Sequence, residues 1–504
     1  MKRNILEYLE HAERQFHDKT AVMDEHAQMT YSELLCASKR IGSALAEKIK
    51  VGSPVAVLAE KSITTLCTFF GIVEAGGFYV LLNPELPHYR LEQIQTVLQA
   101  EYIITDEEHR SIAAELTSEE KILDVSELIQ SEINEQKLSN IRQCMIDTAP
   151  LYANFTSGST GVPKGVLVSH RSVLDFIDVF ADEFGIDETD IVGNQAPFDF
   201  DVSVKDIYSA IKTGATLVII PKRLFSSPAQ LVDYICEHNV TTMIWAVSAI
   251  CLISAFHGLD YRVPSSVKRI LFSGEEMPLK HLENWMSHLP NTEFVNLYGP
   301  TEITCNCTFH RILKDADYSH GIPIGNAFQN ERVFLLNDEN KLITESDEVG
   351  EICVSGTALA LGYYNNPEQT SKAFCQNPLN SYYPERIYRT GDLAKYTKSG
   401  ELLFCGRKDF QIKHMGHRIE LEEIERIISE VDGVERLCAV YDRERSKLHG
   451  FYVGEINKKE LHANLRQYLP VYMIPNSFHQ IDAFPITKNG KVDRKKLLDM
   501  KEKK

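Results

Sequence analysis

Residues 154–170 read NFTSGSTGVPKGVLVSH, and residues 156–165 alone hold three glycines, four hydroxyl residues and one lysine. A loop that wraps phosphate oxygens needs converging backbone N–H groups and small residues that let the anion approach closely. The Walker pattern GxxxxGK[ST] is absent, and the apolar run VLV after Lys164 and Gly165 predicts a strand. A plain polar turn is the alternative, but this density of glycine, hydroxyl and lysine favours a phosphate-binding loop. Its candidate residues are Thr156, Ser157, Gly158, Ser159, Thr160, Gly161 and Lys164.

On both sides of this loop, apolar runs alternate with helical patterns through the first 330 residues, among them SPVAVLAE, ATLVIIP and TEFVNLYG. Such alternation predicts an α/β fold with several layers and parallel-type sheets. After residue 330, the short runs RVFLLND, GEICVSG and GELLFCG predict a small, mostly antiparallel, β-barrel-like subdomain. The amphipathic pattern of LEEIERIISEV and a second helix, KKELHANLRQYL, predict a small α+β domain at the C-terminus.

The composition restricts the class of protein. With 504 residues and 43% hydrophobic content the chain can bury a large core, and 53 basic against 71 acidic residues argue against nucleic-acid partners. Eleven cysteines without a CxxC pair indicate neither a disulfide framework nor a zinc site. The N-terminus reads as an amphipathic helix without a secretory signal. The stretch SITTLCTFFGIVEAGGFYVLL, interrupted by Glu74 and two glycines, predicts a buried helix and strand. We therefore expect a cytoplasmic protein without an integral membrane segment.

The loop and five further motifs resemble those of the adenylate-forming enzyme superfamily, which includes acyl-CoA synthetases, beetle luciferase and the amino-acid-activating domains of nonribosomal peptide synthesis. The motifs follow the family's order: TSGSTGVPKG at 156–165, NQAPFDFDVSV at 194–204, NLYGPTE at 296–302, YRTGDL at 388–393, GRKDFQIKHMGHRIELEEIE at 406–425 and NGKVDRKKL at 489–497. The resemblance implies ATP and Mg2+ as cofactors. It also implies a large ATP-binding and amino-acid-binding domain over 1–405, a hinge at 406–409, and a mobile small domain over 410–504.

The resemblance assigns nucleotide-binding roles to residues of two motifs. Tyr298 would lie against the adenine face, and Asn296 would bond its edge. Thr301 would contact the α-phosphate, and Glu302 would ligate Mg2+, a hard cation that prefers carboxylate oxygen. Asp392 would accept hydrogen bonds from both ribose hydroxyls, which suits an ionised carboxylate.

The same resemblance assigns catalysis and domain motion to the C-terminal motifs. Lys491 would bridge the substrate carboxylate and the α-phosphate, stabilising charge as the carboxylate attacks phosphorus. Arg407 would lie near the ribose, and Asp409 would be the pivot of a rotation that removes Lys491 after adenylate formation. Gly416 and its neighbours would then face an incoming thiol.

The substrate pocket is assigned by resemblance as well. Asp201 stands where amino-acid-activating members keep an aspartate for the α-ammonium, and an unpaired buried carboxylate would be costly in an enzyme for fatty or aryl acids. Trp245 would make the pocket shallow, which favours a small side chain, while Lys205 and Ser273 would add polar contacts. The pocket residues are Phe200, Asp201, Lys205, Trp245, Leu271, Ser273, Leu297, Cys305 and Asn306.

Within the superfamily the chain most resembles D-alanine:carrier protein ligases and freestanding adenylation domains of nonribosomal peptide synthesis. Lys205 and Ser273 stand where D-alanine ligases have methionine and cysteine, so another small polar amino acid such as serine stays open. An acyl-CoA ligase and a catalytically silent homologue are further alternatives. Because no carrier motif follows NGKVDRKKL, we expect a separate phosphopantetheinylated carrier protein to accept the activated amino acid.

Overall fold

A computed structural model of the chain describes residues 2–158, 162–443, 445–486 and 492–501. They form two compact units. The large unit comprises Met1–Asn83, Leu98–Asn154 and Gly165–Lys408, and the small unit comprises Pro84–Val97, Phe155–Lys164 and Asp409–Lys504. The border after Lys408 lies inside the segment for which the sequence predicts a hinge. Residues 84–97 and 155–164, which the sequence analysis places in the large domain, are grouped with the small unit.

The described helices are α1 (Leu6–Phe16), α2 (Tyr31–Leu45), α3 (Ile63–Glu74), α4 (His88–Leu98), α5 (Arg110–Leu116), α6 (Val125–Leu128), α7 (Glu135–Cys144), α8 (His170–Glu183), α9 (Val202–Thr213), α10 (Pro228–Glu237), α11 (Val247–Ala255), α12 (Gly258–Tyr261), α13 (Leu279–His288), α14 (Pro367–Ala373), α15 (Leu421–Ser429), α16 (Lys458–Leu465) and α17 (Arg494–Lys501). Short 3-10 turns cover Glu119–Lys121, Lys222–Ser226, Thr301–Ile303 and Val471–Met473.

The described strands are β1 (Thr20–Met23), β2 (Gln28–Thr30), β3 (Pro54–Leu58), β4 (Phe78–Leu82), β5 (Ile103–Thr105), β6 (Ile122–Asp124), β7 (Pro150–Thr156), β8 (Lys164–Ser169), β9 (Ile191–Asn194), β10 (Thr216–Ile219), β11 (Thr242–Ala246), β12 (Arg269–Ser273), β13 (Glu293–Tyr298), β14 (Thr308–Arg311), β15 (Asn326–Ala327), β16 (Glu331–Leu336), β17 (Leu342–Ile343), β18 (Gly350–Gly356), β19 (Gly362–Tyr363), β20 (Phe374–Gln376), β21 (Arg386–Tyr396), β22 (Leu402–Arg407), β23 (Gln411–His414), β24 (His417–Glu420), β25 (Val434–Asp442), β26 (Lys447–Gly454) and β27 (Ser477–Gln480).

Two large mixed sheets form the frame of the large unit. The first has the order β15-β14-β13-β12-β11-β9-β10-β1-β2, and its central strands from β1 to β13 are parallel. The second has the order β19-β8-β7-β4-β3-β5-β6 and is parallel between β7 and β6. The predicted α/β class with parallel-type sheets is confirmed. A third sheet, built on β16, β18, β21 and β22, is antiparallel, as expected for the segment after residue 330.

Two large apolar clusters pack against the two large sheets of the large unit. The first contains residues of α1, α2, α3, α8 and α9 together with one face of both large sheets, so these helices lie between the sheets. The second packs α10, α11 and α13 against the other face of the nine-stranded sheet and includes Trp245 and Trp285, the only two tryptophans of the chain. Both indole N–H groups donate to backbone carbonyls, of Gly193 at 2.7 Å and of Ile250 at 3.0 Å. Side chains of neighbouring residues in one strand therefore belong to different clusters, as strand geometry requires.

Local sequence signals fix several of these elements. Thr30 and Glu33 form a capping box at the start of α2, which satisfies backbone N–H groups that have no partner within the helix. Helix α9 ends at Gly214, which has φ +76°, and a Cβ there would lie 2.2 Å from the ring of Phe16. The predicted buried helix and strand around Glu74 are confirmed as α3 and β4. Within the described part of the chain, no helix has the length and apolarity needed to cross a membrane.

The small unit contains the hairpin β23–β24 and the three-stranded sheet β25-β26-β27, whose apolar cluster includes one face of α15. Met415 and Gly416 connect the hairpin with φ of 53° and 80°, the left-handed pair that a two-residue turn requires. Arg90 of α4 forms a buried ion pair with Glu423 of α15, which accounts for the grouping of residues 84–97 with this unit.

Candidate active site

The glycine-rich loop connects β7 to β8, and β8 confirms the strand predicted after Lys164. A Cβ on Gly158 would lie 2.2 Å from the carbonyl oxygen of Val162, so this turn requires glycine. The hydroxyl of Ser157 donates to the carbonyl of Arg418 at 2.8 Å. The ammonium of Lys164 lies 3.9 Å from a carboxylate oxygen of Glu420, whose pKa is raised by burial. Thr156 is the last residue of strand β7. Three further phosphate-binding candidates lie outside the described residues: Ser159, Thr160 and Gly161.

A second group of candidates comes together at one place in the large unit. The hydroxyl of Tyr298, at the end of β13, donates to one carboxylate oxygen of Asp392 at 2.6 Å, and Arg407 forms an ion pair with the other. Tyr298 and Asp392 are 7% and 4% exposed. Burial and the adjacent carboxylate raise the pKa of Tyr298 well above its usual range, so the phenol remains a donor. Residues of three motifs, 94 residues apart for Tyr298 and Asp392 and 15 for Asp392 and Arg407, thus form one buried hydrogen-bonded cluster.

The neighbouring residues of NLYGPTE have structural partners of their own. The side-chain amide of Asn296 donates to the carbonyl of Pro323 at 2.9 Å. Thr301 and Glu302 lie in a 3-10 turn directly after β13, and Glu302 is fully buried. One of its carboxylate oxygens accepts a hydrogen bond from the hydroxyl of Tyr363 at 2.8 Å.

Glu302 is also the candidate metal ligand. Among the described residues, no group of three or more His, Cys, Asp or Glu side chains could hold a metal ion. The donor type of Glu302 fits Mg2+, which is usually held by one or two carboxylates while nucleotide phosphates and waters supply the other ligands.

The candidate substrate pocket is built around the start of α9. Asp201 immediately precedes the helix, and its backbone carbonyl accepts a hydrogen bond from the thiol of Cys305 at 3.0 Å. Lys205, one turn into the helix, donates from its ammonium to the amide oxygen of Asn306 at 2.6 Å, and both residues are 1% exposed. Cys305 has φ 78°, an uncommon conformation for a residue with a side chain and one that clusters at functional sites.

Strand alternation separates the remaining pocket candidates. Leu271 and Leu297 belong to the first apolar cluster, as does Cys305, and Ser273 follows Leu271 by two residues at the end of β12. Trp245 belongs to the second cluster on the other face of the sheet. The structure therefore does not bring Trp245 together with the other candidates. The residues of β11 that share their face include Ile244, which is paired with Leu271, and Ala246, which is paired with Ser273.

Sequence reasoning also missed a buried polar network beside Lys205. The carboxylate of Asp206, the next residue of α9, accepts from the side-chain amide of Asn194 at 2.7 Å. Lys61 donates to the side-chain and backbone oxygens of Asn194 at 3.1 and 3.3 Å and to the carbonyl of Gln195 at 2.9 Å. Burial raises the pKa of Asp206 and lowers the pKa of Lys61 to about 7. Lys61 lies 133 residues before Asn194 in the chain, and no local signal around it could have identified it.

The remaining candidates are Phe200, Asp409 and Lys491. The backbone of Phe200 accepts a hydrogen bond from the Ser203 hydroxyl at 2.6 Å, which helps form the first turn of α9. Asp409 is the first residue of the C-terminal segment of the small unit, and its carboxylate accepts from the Gln411 N–H at 3.2 Å. Lys491 lies outside the described residues.

Comparison with known proteins identifies the family of the chain. Residues 9–364 match the family model described as AMP-binding enzyme, and the chain belongs to that family. Its members form adenylates from ATP.

Individual relatives extend the match over almost the whole chain. The chain is 34% identical to zwittermicin A synthase ZmaJ of Bacillus cereus, over 95% of this chain and 92% of that protein. It is 30% identical to tyrocidine synthase 1 of Brevibacillus parabrevis, over 98% of this chain, and spans 45% of the length of that protein. The structure of holo-PA1221, described as a nonribosomal peptide synthetase protein containing adenylation and PCP domains, superimposes with a TM-score of 0.85 at 23% identity, covering 99% of this chain and 84% of that one. The fold is therefore that of adenylation domains.

Proposed function

We propose that this protein activates an amino acid as its aminoacyl-adenylate and transfers the aminoacyl group to the phosphopantetheine thiol of a carrier protein. The observation that carries the proposal is the occurrence of two buried polar sites in one compact unit. These are the cluster of Tyr298, Asp392 and Arg407 and the hydrogen-bonded pair of Lys205 and Asn306. The similarity to zwittermicin A synthase ZmaJ and tyrocidine synthase 1, and the fold shared with the adenylation domain named for holo-PA1221, support it.

The first half-reaction forms one bond and breaks one bond. A carboxylate oxygen of the amino acid attacks the α-phosphorus of ATP, and the bond to the β-phosphate oxygen breaks, so pyrophosphate leaves. Asp392 and Tyr298 hold the ribose end of the nucleotide, Asp201 pairs with the α-ammonium, and Lys491 stabilises the negative charge that develops at phosphorus. When bound at Glu302, Mg2+ supplies charge neutralisation for the phosphate oxygens.

In the second half-reaction the carrier thiol loses its proton and its sulfur attacks the carbonyl carbon. The C–O bond to phosphate breaks, AMP leaves and a thioester remains. The PCP domain named for holo-PA1221 supports a carrier as acceptor, and we propose that the carrier is a separate protein.

The amino acid is proposed to be small. D-alanine is one candidate and serine is the other, and the bond from Lys205 to Asn306 favours a polar side chain over the methyl group of alanine. ATP–pyrophosphate exchange across D- and L-amino acids tests the function. Exchange with simple carboxylic acids but with no amino acid, or consumption of the adenylate by free coenzyme A alone, would favour an acyl-CoA ligase instead.

Separate assays of the two half-reactions test the role of Lys491. We expect Lys491→Ala to lower adenylation by a factor of roughly 10² to 10³, a typical cost of losing a charge-stabilising group, with little change in transfer from supplied aminoacyl-adenylate. Lys495→Ala, in the exposed part of the same basic segment, is the matched control and is expected to change neither. Equal loss of both half-reactions in Lys491→Ala would contradict a role confined to adenylation.

A further inference from the structure

Lys61 directs its ammonium at one short segment of the chain. It lies between β3 and α3, and it donates to the side-chain oxygen of Asn194 at 3.1 Å and to the backbone carbonyls of Asn194 and Gln195 at 3.3 and 2.9 Å. A lysine ammonium has three N–H donors, which these three acceptors match. Strand β3 belongs to the seven-stranded sheet, and β9, which ends at Asn194, belongs to the nine-stranded sheet. Lys61 therefore joins the two large sheets at the point where the chain leaves β9.

Asn194 extends this contact to helix α9. Its amide nitrogen donates to the carboxylate of Asp206 at 2.7 Å, and both residues are fully buried. Because the amide accepts from Lys61 with its oxygen and donates with its nitrogen, its orientation is fixed. The bond joins residues 12 positions apart and closes a loop of the chain in which Asp201 lies. The position of Asp201 therefore depends on a polar network whose outer end is Lys61.

The charges of the network meet at Asp206. Burial raises the pKa of its carboxyl group, and the hydrogen bond from Asn194 lowers it. The ammonium groups of Lys205 and Lys61 also lower that pKa, Lys205 more than Lys61. Removal of Lys61 would leave three acceptors without their donor and the Asp206 carboxylate with less opposing charge. We therefore expect its loss to displace the segment between Asn194 and Asp206.

We propose, on the basis of the function proposed above, that Lys61 is a positioning residue for the α-ammonium of the substrate, because through Asn194 it holds the loop that carries Asp201. Lys61 acts through this loop and does not touch the substrate. A carboxylate that pairs with an ammonium tolerates little displacement, since a shift of about 1 Å in a reacting complex can cost about 100-fold in rate. The defect caused by losing Lys61 should therefore be specific to substrates that carry an α-ammonium.

The test compares each amino acid with its α-hydroxy analogue, in which a hydroxyl replaces the α-ammonium. ATP–pyrophosphate exchange is measured with the full-length chain and both enantiomers of alanine and lactate, of serine and glycerate, and of any other preferred amino acid and its analogue. In Lys61→Met we expect the ratio of kcat/KM for the amino acid to kcat/KM for the analogue to fall at least about 10-fold. KM for ATP should stay within about 2-fold, because the nucleotide does not contact Asp201. A general loss of structure would instead lower exchange with both kinds of substrate equally.

Two further variants separate this network from other buried contacts. Lys212→Met, on α9, removes an ammonium that donates to the carbonyl of Asp178 at 2.9 Å, and it should leave the ratio unchanged. Asn194→Ala interrupts the same chain of bonds as Lys61→Met, so it should lower the ratio as well. The double variant should then be no worse than the more affected single variant, since coupled residues do not have additive effects.

The unaltered protein provides a test that needs no folded variant. Coupling between two groups is reciprocal, so binding of the α-ammonium at Asp201 should stabilise the contact with Lys61. Hydrogen exchange read by mass spectrometry should become at least about 3-fold slower in the segment from Asn194 to Asp206 and in the segment around Lys61 when the preferred amino acid and ATP are added. The α-hydroxy analogue with ATP should protect neither segment.

The outcomes separate this proposal from the function on which it rests. An unchanged ratio in Lys61→Met, an equal loss for amino acid and analogue, additive losses in the double variant, or protection confined to one segment would overturn the role of Lys61 and leave the proposed function intact. Exchange of the unaltered protein with no amino acid at all would overturn both.

Discussion

The contact between Tyr298 and Asp392 leads to a quantitative prediction for Tyr298→Phe. The tyrosine hydroxyl donates to the carboxylate at 2.6 Å in a buried site, and Phe removes only that oxygen. A hydrogen bond to a charged group contributes about 1.5–3 kcal/mol, and the phenol holds Asp392 in the orientation proposed for the ribose hydroxyls. At about 1.4 kcal/mol for each factor of ten, KM for ATP should rise roughly 10-fold to 150-fold. Because the contact is remote from the reacting phosphorus, kcat should change little.

Initial rates of pyrophosphate exchange, measured against ATP at saturating amino acid, give both constants. Tyr31→Phe is the matched control, since it removes another buried hydroxyl that bonds backbone carbonyls, of Ala210 at 3.1 Å and of Ala215 at 2.6 Å. It should lower the free energy of unfolding without changing KM for ATP. An unchanged KM in Tyr298→Phe, or an equal rise in Tyr31→Phe, would refute the proposed link between Tyr298 and the nucleotide.

Two further predictions concern stability. Burial lowers the pKa of His170 to about 3, whereas an unfolded histidine titrates near 6.5, so between these values the unfolded state binds a proton that the folded state does not. Stability is therefore lost as pH falls below about 6.5, by up to about 1.4 kcal/mol per pH unit. His170→Gln should reduce that slope in urea unfolding between pH 6 and 4, and an unchanged slope would exclude His170 as its source. Trp245→Phe loses the bond to Gly193 and some packing, so it should lower the free energy of unfolding by roughly 1–3 kcal/mol. The ranking of amino acid substrates should not change, and a changed ranking would show that the tryptophan reaches the pocket.

The features that can be predicted from the sequence are those set by residues close together in the chain, whereas contacts between distant segments cannot be predicted. The turn between β7 and β8 and the strand after Lys164 could be predicted because glycine spacing and apolar runs are local signals. The family resemblance assigns Trp245 to the pocket, whereas the face on which a strand residue lies depends on register with the neighbouring strands. The contact of Lys61 with Asn194 depends on how two sheets of the large unit pack, and no pattern near Lys61 predicts it.

The position of the two tryptophans has a consequence for optical experiments. Trp245 and Trp285 both lie in the second apolar cluster of the large unit, and the small unit contains no tryptophan. Intrinsic fluorescence excited at the indole band therefore monitors only the helices packed on that face of the nine-stranded sheet. Unfolding of the small unit should therefore leave the tryptophan fluorescence unchanged, whereas far-ultraviolet circular dichroism should detect it. The two methods run side by side thus measure separately how stably each part of the chain is folded.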